Sequence, residues 1–143
     1  MNLYLDTSAL VKLYVEERGR TGLVEAVSAA EVVATSMVAY VEARAAFARR
    51  HREGALALAD YRRSVRDLDR DWFRYLRLEV SEALVLAAGR LAERHRLRAY
   101  DAVHLASALV LRSQLDEVVF ACWDSRLNAE AHRAGLTVFR GTR

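Results

Sequence analysis

The sequence predicts an α/β domain with a parallel sheet flanked by helices, and three observations predict it. Short apolar or β-branched runs alternate with longer stretches of helical periodicity, in the order strand, helix, strand, helices, strand, helix, strand. Val32-Val33-Ala34-Thr35-Ser36 is β-branched and buried in character, as parallel core strands are. No proline, repeat, linker or low-complexity segment interrupts the 143 residues, so residues 1–143 read as a single domain.

Asn2 to Leu5 is a short apolar run closed by Asp6-Thr7-Ser8, after which Leu10, Leu13 and Tyr14 recur at helical spacing. This is a strand passing into a helix with Thr7 or Ser8 as N-cap. Gly19 and Gly22 punctuate a turn, and Leu23 to Ala30 forms a second helix. The Val32 to Ser36 strand follows, then a helix from about Val38 to Arg52 that ends near Gly54.

The next helix runs from about Ala55 to Leu76, with Tyr61, Val65, Leu68, Trp72 and Leu76 on one face at steps of three and four. Its opposite face carries Arg62, Arg63, Arg66, Arg70 and Arg74 among Asp67, Asp69 and Asp71, which reads either as a solvated or partner-facing surface or as an RNA contact. Two more helices span about Ser81 to Glu93 and Tyr100 to Arg112. Val118 to Cys122 is a strand, Arg126 to Arg133 a helix, and Thr137 to Phe139 a last short strand.

A content of 53% hydrophobic and 29% charged residues is that of a soluble globular chain. The longest apolar stretches stop well short of the roughly 20 residues that span a bilayer. Met1-Asn2-Leu3-Tyr4-Leu5 meets Asp6 at once, without the regions of a signal peptide, so a cytoplasmic location is expected. Cys122 has no partner for a disulfide or a cysteine zinc cluster, and its flanks Ala121 and Trp123 suggest a buried small residue. Net charge is +3, carried by arginine with Lys12 as the sole lysine. Arginine suits phosphate or carboxylate contacts, but a basic balance alone establishes no nucleic-acid binding.

Acidic residues carry the chemistry. In an open parallel sheet, ligands gather outside the carboxyl ends of the strands. That rule selects Asp6, which closes the first strand, and Asp124, two residues past Cys122. Glu42 lies inside an apolar helix, among Val38, Val41, Ala43, Ala46 and Phe47, and is the only acid between Glu31 and Glu53. Asp101 opens the apolar helix of Ala102, Val103, His104 and Leu105. Taken singly, Glu42 reads equally as a solvated helix residue and Asp101 as a first-turn acid favoured by the helix dipole. Four carboxylates in one pocket would repel, each pair by roughly 3 kcal/mol at about 5 Å and an effective dielectric of about 20. A hard cation offsets that, and Mg²⁺ or Mn²⁺ suits a few carboxylates plus retained waters. Such a site activates water and steadies phosphorane charge, as metal nucleases require. The histidines form no HExxH pattern, and no G-x-S-x-G elbow supports serine hydrolysis.

These residues resemble the PIN-domain family and, within it, the VapC toxins of toxin–antitoxin pairs. Leu3-Tyr4-Leu5-Asp6-Thr7-Ser8 is similar to the family's opening strand and its Asp-Thr-Ser turn. Thr35-Ser36 with Val41-Glu42-Ala43-Arg44 resembles its second motif, Tyr100-Asp101-Ala102-Val103-His104-Leu105-Ala106 its third, and Cys122-Trp123-Asp124-Ser125-Arg126-Leu127 its fourth. Thr or Ser commonly occupies the place of Cys122, so the last motif departs from the pattern at that position.

The resemblance implies a three-layer α/β/α domain with a central, mainly parallel sheet, and a Mg²⁺- or Mn²⁺-dependent endoribonuclease. It carries over Asp6, Glu42, Asp101 and Asp124 as catalytic residues and metal ligands. Ser8 would either add a hydroxyl contact at the site or serve as a plain N-cap. The partners implied are an RNA substrate, a VapB-type antitoxin and a second copy of the chain, with no membrane. The alternatives are a housekeeping RNA- or DNA-processing nuclease of the same fold without an antitoxin, and a catalytically silent module that acts by binding.

Overall fold

Leu3 and Leu5 point to one face of the first strand and Tyr4 to the other, all three fully buried, and this decides the layering. The chain is described over residues 1–141 in a computed structural model. Its elements are β1 (Asn2–Leu5), α1 (Thr7–Lys12), α2 (Arg20–Ala29), β2 (Val32–Ser36), α3 (Val38–Arg52) and α4 (Leu58–Trp72). There follow β3 (Leu76–Leu78), α5 (Glu82–His95), α6 (Ala99–Gln114), β4 (Val118–Ala121), α7 (Ser125–Arg133) and β5 (Thr137–Val138).

The five strands pair in the order β3-β2-β1-β4-β5, and every pairing is parallel. The expected α/β/α layering is therefore present, with a sheet that is wholly rather than mainly parallel. Leu3 and Leu5 pack with Leu10 of α1, Leu23 of α2, Phe47 of α3 and Leu68 of α4. Tyr4 packs with Phe120 of β4, Leu105 and Ala108 of α6, and Leu127 of α7. Helix α5 lies outside α6, where Leu84 and Ala88 meet Ala102 and Ala106. Covered on both faces, the strands need no polar side, which is why they read as apolar runs.

The connections also locate the crevice. Those between β1 and β3 use α1 to α4 on one face, and the chain then crosses by α5 and α6 to place β4 on the other side of β1. Strand order reverses between β1 and β4, so the topological switch point lies at their carboxyl ends, level at Leu5 and Ala121.

Several boundaries differ from the sequence expectation, among them the start of α4, at Leu58 rather than Ala55, and the end of β5, at Val138 rather than Phe139. The helix expected to reach Leu76 stops at Trp72, and Leu76 begins a strand that pairs with Ala34 of β2. The step of four from Trp72 to Leu76 coincides with helical spacing, but Leu76-Arg77-Leu78 completes the sheet edge, and Leu78 accepts from Met37 N–H at 2.9 Å. Helix α2 begins at Arg20, with buried Gly22 inside it; the turn rests on Gly19 alone, at φ +90°, where a Cβ would lie 3.0 Å from Trp123. Strand β4 ends at Ala121, before Cys122. The cap of α1 is neither Thr7 nor Ser8 but Asp6.

Candidate active site

The two strand-end acids are placed by capping. Asp6 N–H extends the ladder to the Ala121 carbonyl at 3.1 Å, after which the chain turns into α1. Its Oδ1 accepts from Ala9 N–H at 3.0 Å and from the Ser8 hydroxyl at 2.7 Å. Asp124 does the same for α7: its Oδ1 accepts from Arg126 N–H at 2.9 Å and Leu127 N–H at 3.2 Å. Each carboxylate thus satisfies the orphan donors of a helix start and sits at the positive end of its dipole. Ser8 is not the N-cap of α1. It links the two loops, donating to Asp6 and accepting from Trp123 N–H at 3.0 Å.

The helical acids reach the same crevice from opposite faces of the sheet. Glu42 lies on α3, where Ala39, Ala43 and Phe47 form the buried stripe. Its Oε1 accepts from the Thr7 hydroxyl at 2.6 Å and from His104 Nε2 at 2.9 Å. His104, on α6, is 2% exposed and its Nδ1 lies 2.8 Å from the Tyr4 hydroxyl. A carboxylate only accepts, so Nε2 bears the proton, and a continuous Tyr4–His104–Glu42–Thr7 chain runs from the core to the pocket. Asp101 stands one turn before His104, in the first turn of α6. Arg98, the N-cap residue of α6, spans the outer acids: Nε donates to Asp101 Oδ2 at 3.1 Å and Nη2 to Asp124 Oδ2 at 3.5 Å.

All four sequence-selected acids therefore line one pocket of about 530 Å³, together with Thr7, Ser8 and His104 and a rim of Arg49, Arg52 and Arg98. A larger cavity of about 640 Å³ lies beside Trp123 and holds the buried Lys12 paired with Glu17 at 3.0 Å, but none of the four acids lines it.

Burial raises the Asp6 pKa, although the charge of His104 and hydrogen bonds from Ser8, Ala9 and Cys122 oppose the rise. Burial also acts to raise Glu42, but there the hydrogen bonds of His104 and Thr7, with the charge of His104, outweigh it and hold the carboxyl below its ordinary range. The Cys122 thiol is pushed far up by burial and by Asp6, which removes it as a nucleophile.

Among the described residues, no three acidic, histidine or cysteine side chains stand close enough to make a ready ligand cage. The donor set nonetheless fits a hard cation: carboxylate oxygens around an open pocket, with Asp6 carrying an unfavourable buried charge. Mg²⁺ is held by one or two carboxylates and keeps several waters, so it needs no closed cage. A zinc site would require one.

Sequence reasoning missed the clamp on Glu42 and the arginine rim. The spacing of three between Asp101 and His104 places both on one helix face, but only the fold shows that the imidazole turns to Glu42. Nothing in sequence distinguishes Arg49, Arg52 and Arg98 from the other arginines.

The chain matches the PIN domain family over residues 3–120, a stretch that holds Asp6, Glu42 and Asp101 and stops before Asp124. It is 37% identical over 136 residues to a protein named Ribonuclease VapC45 from Mycobacterium tuberculosis, covering 95% of this chain and 93% of that one. The fold is similar to PAE2754 from Pyrobaculum aerophilum, with TM-score 0.71, 20% identity and coverage of 96% and 89% of the two chains. A toxin–antitoxin complex from Klebsiella pneumoniae matches with TM-score 0.63, 16% identity and coverage of 86% and 87%.

Proposed function

The chain belongs to the PIN-domain family, and on that premise we propose that it is a Mg²⁺- or Mn²⁺-dependent endoribonuclease, the toxin of a toxin–antitoxin pair. The observation that carries the reading is the convergence of Asp6, Glu42, Asp101 and Asp124 on one pocket at the switch point of a parallel sheet. The relative named Ribonuclease VapC45 supports RNA as the substrate. Asp6, Glu42 and Asp101 would hold the cation, with Asp124 close enough to act directly or through water. Bound there, the cation would supply a nucleophile from water at neutral pH and neutralise charge on the phosphate under attack.

The chain's own residues do the rest. Thr7 and His104 fix the Glu42 carboxylate through Oε1, which lowers the ordering cost of binding. Asp6 and Asp124 are held by the helix starts they cap. Arg49 and Arg52 on the rim offer guanidinium groups to the phosphates of an entering strand. Arg98 balances the charges of Asp101 and Asp124 at the pocket mouth.

The partners in this reading are a VapB-type antitoxin and a second copy of the chain, supported by the likeness to a toxin–antitoxin complex and by the exposed apolar side chains of Met37, Val41 and Phe73. No helix among the described residues is long and apolar enough to cross a membrane. The test is cleavage of a mixed RNA pool by the purified protein with Mn²⁺, with EDTA, and as Asp101→Asn. Loss of several kcal/mol of transition-state stabilisation corresponds to about a hundredfold or more in rate. Equal cleavage by wild type and Asp101→Asn would remove the site from the reaction.

A further inference from the structure

On the reading that the substrate is RNA, we propose that a groove leading away from the acid pocket, past Arg98 and Arg126 into a basin of Arg94, Arg96 and Arg133, is the track for the RNA backbone beyond the cleaved phosphate. Continuity is the first support. A small cavity of about 220 Å³ shares Arg98, Asp101 and Asp124 with the acid pocket and is lined also by Leu97, Arg126 and Leu127. Arg126 also lines the next cavity, of about 520 Å³, where Arg94, Arg96 and Arg133 gather.

Charge is the second support. Among the described residues, Arg94, Arg96 and Arg126 have no carboxylate within 4.0 Å. The one acid in the basin, Glu130, is already engaged by His95 at 2.8 Å and by Arg133. The arginine face of α4 behaves differently: Arg63 pairs with Asp60 at 2.7 Å, and Arg70 with Asp71 at 3.0 Å and Asp67 at 3.2 Å. That helix largely cancels its own charge. The basin, with four arginines to one glutamate, keeps a net positive charge.

The basin is also a built feature. Arg96 ends α5 in the left-handed region at φ 54°, and its carbonyl accepts from Arg126 Nη2, which ties the α5–α6 turn to the start of α7. No Phe, Tyr or Trp lines the basin, and its one imidazole, His95, is engaged by Glu130 at 2.8 Å. Guanidinium groups without stacking platforms recognise the phosphodiester backbone rather than sequence. The track would therefore set affinity and the length of strand engaged, and leave base preference to the acid pocket.

The test measures binding of single-stranded RNAs of about four and about twelve nucleotides in EDTA, by fluorescence anisotropy across a salt series. Wild type is compared with the double variant Arg94→Gln/Arg96→Gln and with Arg63→Gln/Arg70→Gln on α4. Each lost phosphate contact reduces the slope of log K against log salt by about 0.7 for a single strand. The groove variant is expected to lose about 1.4 in slope and most of the preference for the longer RNA; the α4 variant should match wild type. Circular dichroism melts check that the variants fold, and the exposed single variant Arg94→Gln, with half the slope change, replaces the double one if it does not. A groove variant with wild-type slope and length preference overturns the track, as does unchanged RNA binding with lost binding of an acidic peptide. Mn²⁺-dependent cleavage by wild type decides the ribonuclease reading separately, so the two can fail independently.

Discussion

The inner and outer halves of the acid pocket are held by opposite means. Asp6 and Glu42 stand against the core, in contact with Ser8, Thr7 and a histidine that is itself buried and bonded to Tyr4. Asp101 and Asp124 stand at the mouth, on helix starts, bridged by an Arg98 side chain that is 77% exposed. The inner pair is organised before any ligand arrives, at the cost of a desolvated charge on Asp6. The outer pair is organised by a cation that water can reach and a ligand can displace. A site that binds and releases a charged substrate needs both: a fixed half to set geometry, and an exchangeable half to let charge in and out.

The comparison breaks first at His104. His104→Ala removes the Glu42 clamp and leaves the buried Tyr4 hydroxyl without its partner, and it should lower RNA cleavage by about 10- to 100-fold. Stability should fall by about 2 to 4 kcal/mol, from the unpaired hydroxyl and the emptied side-chain volume together. Urea unfolding with cleavage kinetics checks both. Wild-type-like behaviour would mean that the inner half is not preorganised by this chain of bonds.

Tyr4→Phe is the gentler cut. It leaves His104 Nδ1 buried without its partner and should destabilise by about 1 to 3 kcal/mol. Its effect on cleavage should be smaller than that of His104→Ala, since Nε2 still reaches Glu42.

The pH dependence of metal-free stability separates the two inner acids. Burial raises Asp6, so its contribution is fully present below the ordinary carboxylate range and is lost as pH rises through its elevated pKa. Glu42 is depressed, so its contribution is present at neutral pH and lost as acid protonates it below the ordinary range. Asp6→Asn keeps an N-capping oxygen and removes the buried charge. In EDTA at neutral pH its melting temperature should exceed that of wild type, and an unchanged or lower value would contradict the desolvated charge assigned to Asp6.

The smallest effect belongs to the outer half. Arg98→Gln breaks two exposed ion pairs and should alter stability by less than about 1 kcal/mol. A larger loss in thermal or urea melts would show that the mouth is as rigid as the interior.

Sequence made this pocket legible in proportion to how local its causes are. Asp6 and Asp124 follow apolar runs directly, so strand-end geometry found them without a fold. Glu42 and Asp101 sit mid-sequence in apolar helices, where periodicity allows either face, and the resemblance to a family was needed to turn them inward. His104 and Arg98 act across 62 and 26 residues of chain, and no local pattern encodes such contacts. The same limit explains β3: three residues at a sheet edge, with Arg77 between two leucines, are a strand only because β2 lies beside them. Likewise the arginines from Arg62 to Arg74 looked as promising for RNA as any others until Asp60, Asp67 and Asp71 were seen beside Arg63, Arg70 and Arg74.

Calorimetric titration of Mn²⁺ into wild type, Asp6→Asn and Asp101→Asn tests the central claim most directly, since it reads the pocket without RNA, antitoxin or turnover. The account predicts saturable binding by wild type and its loss or marked weakening in both variants, one from each half. Equal Mn²⁺ affinity in all three proteins would contradict it.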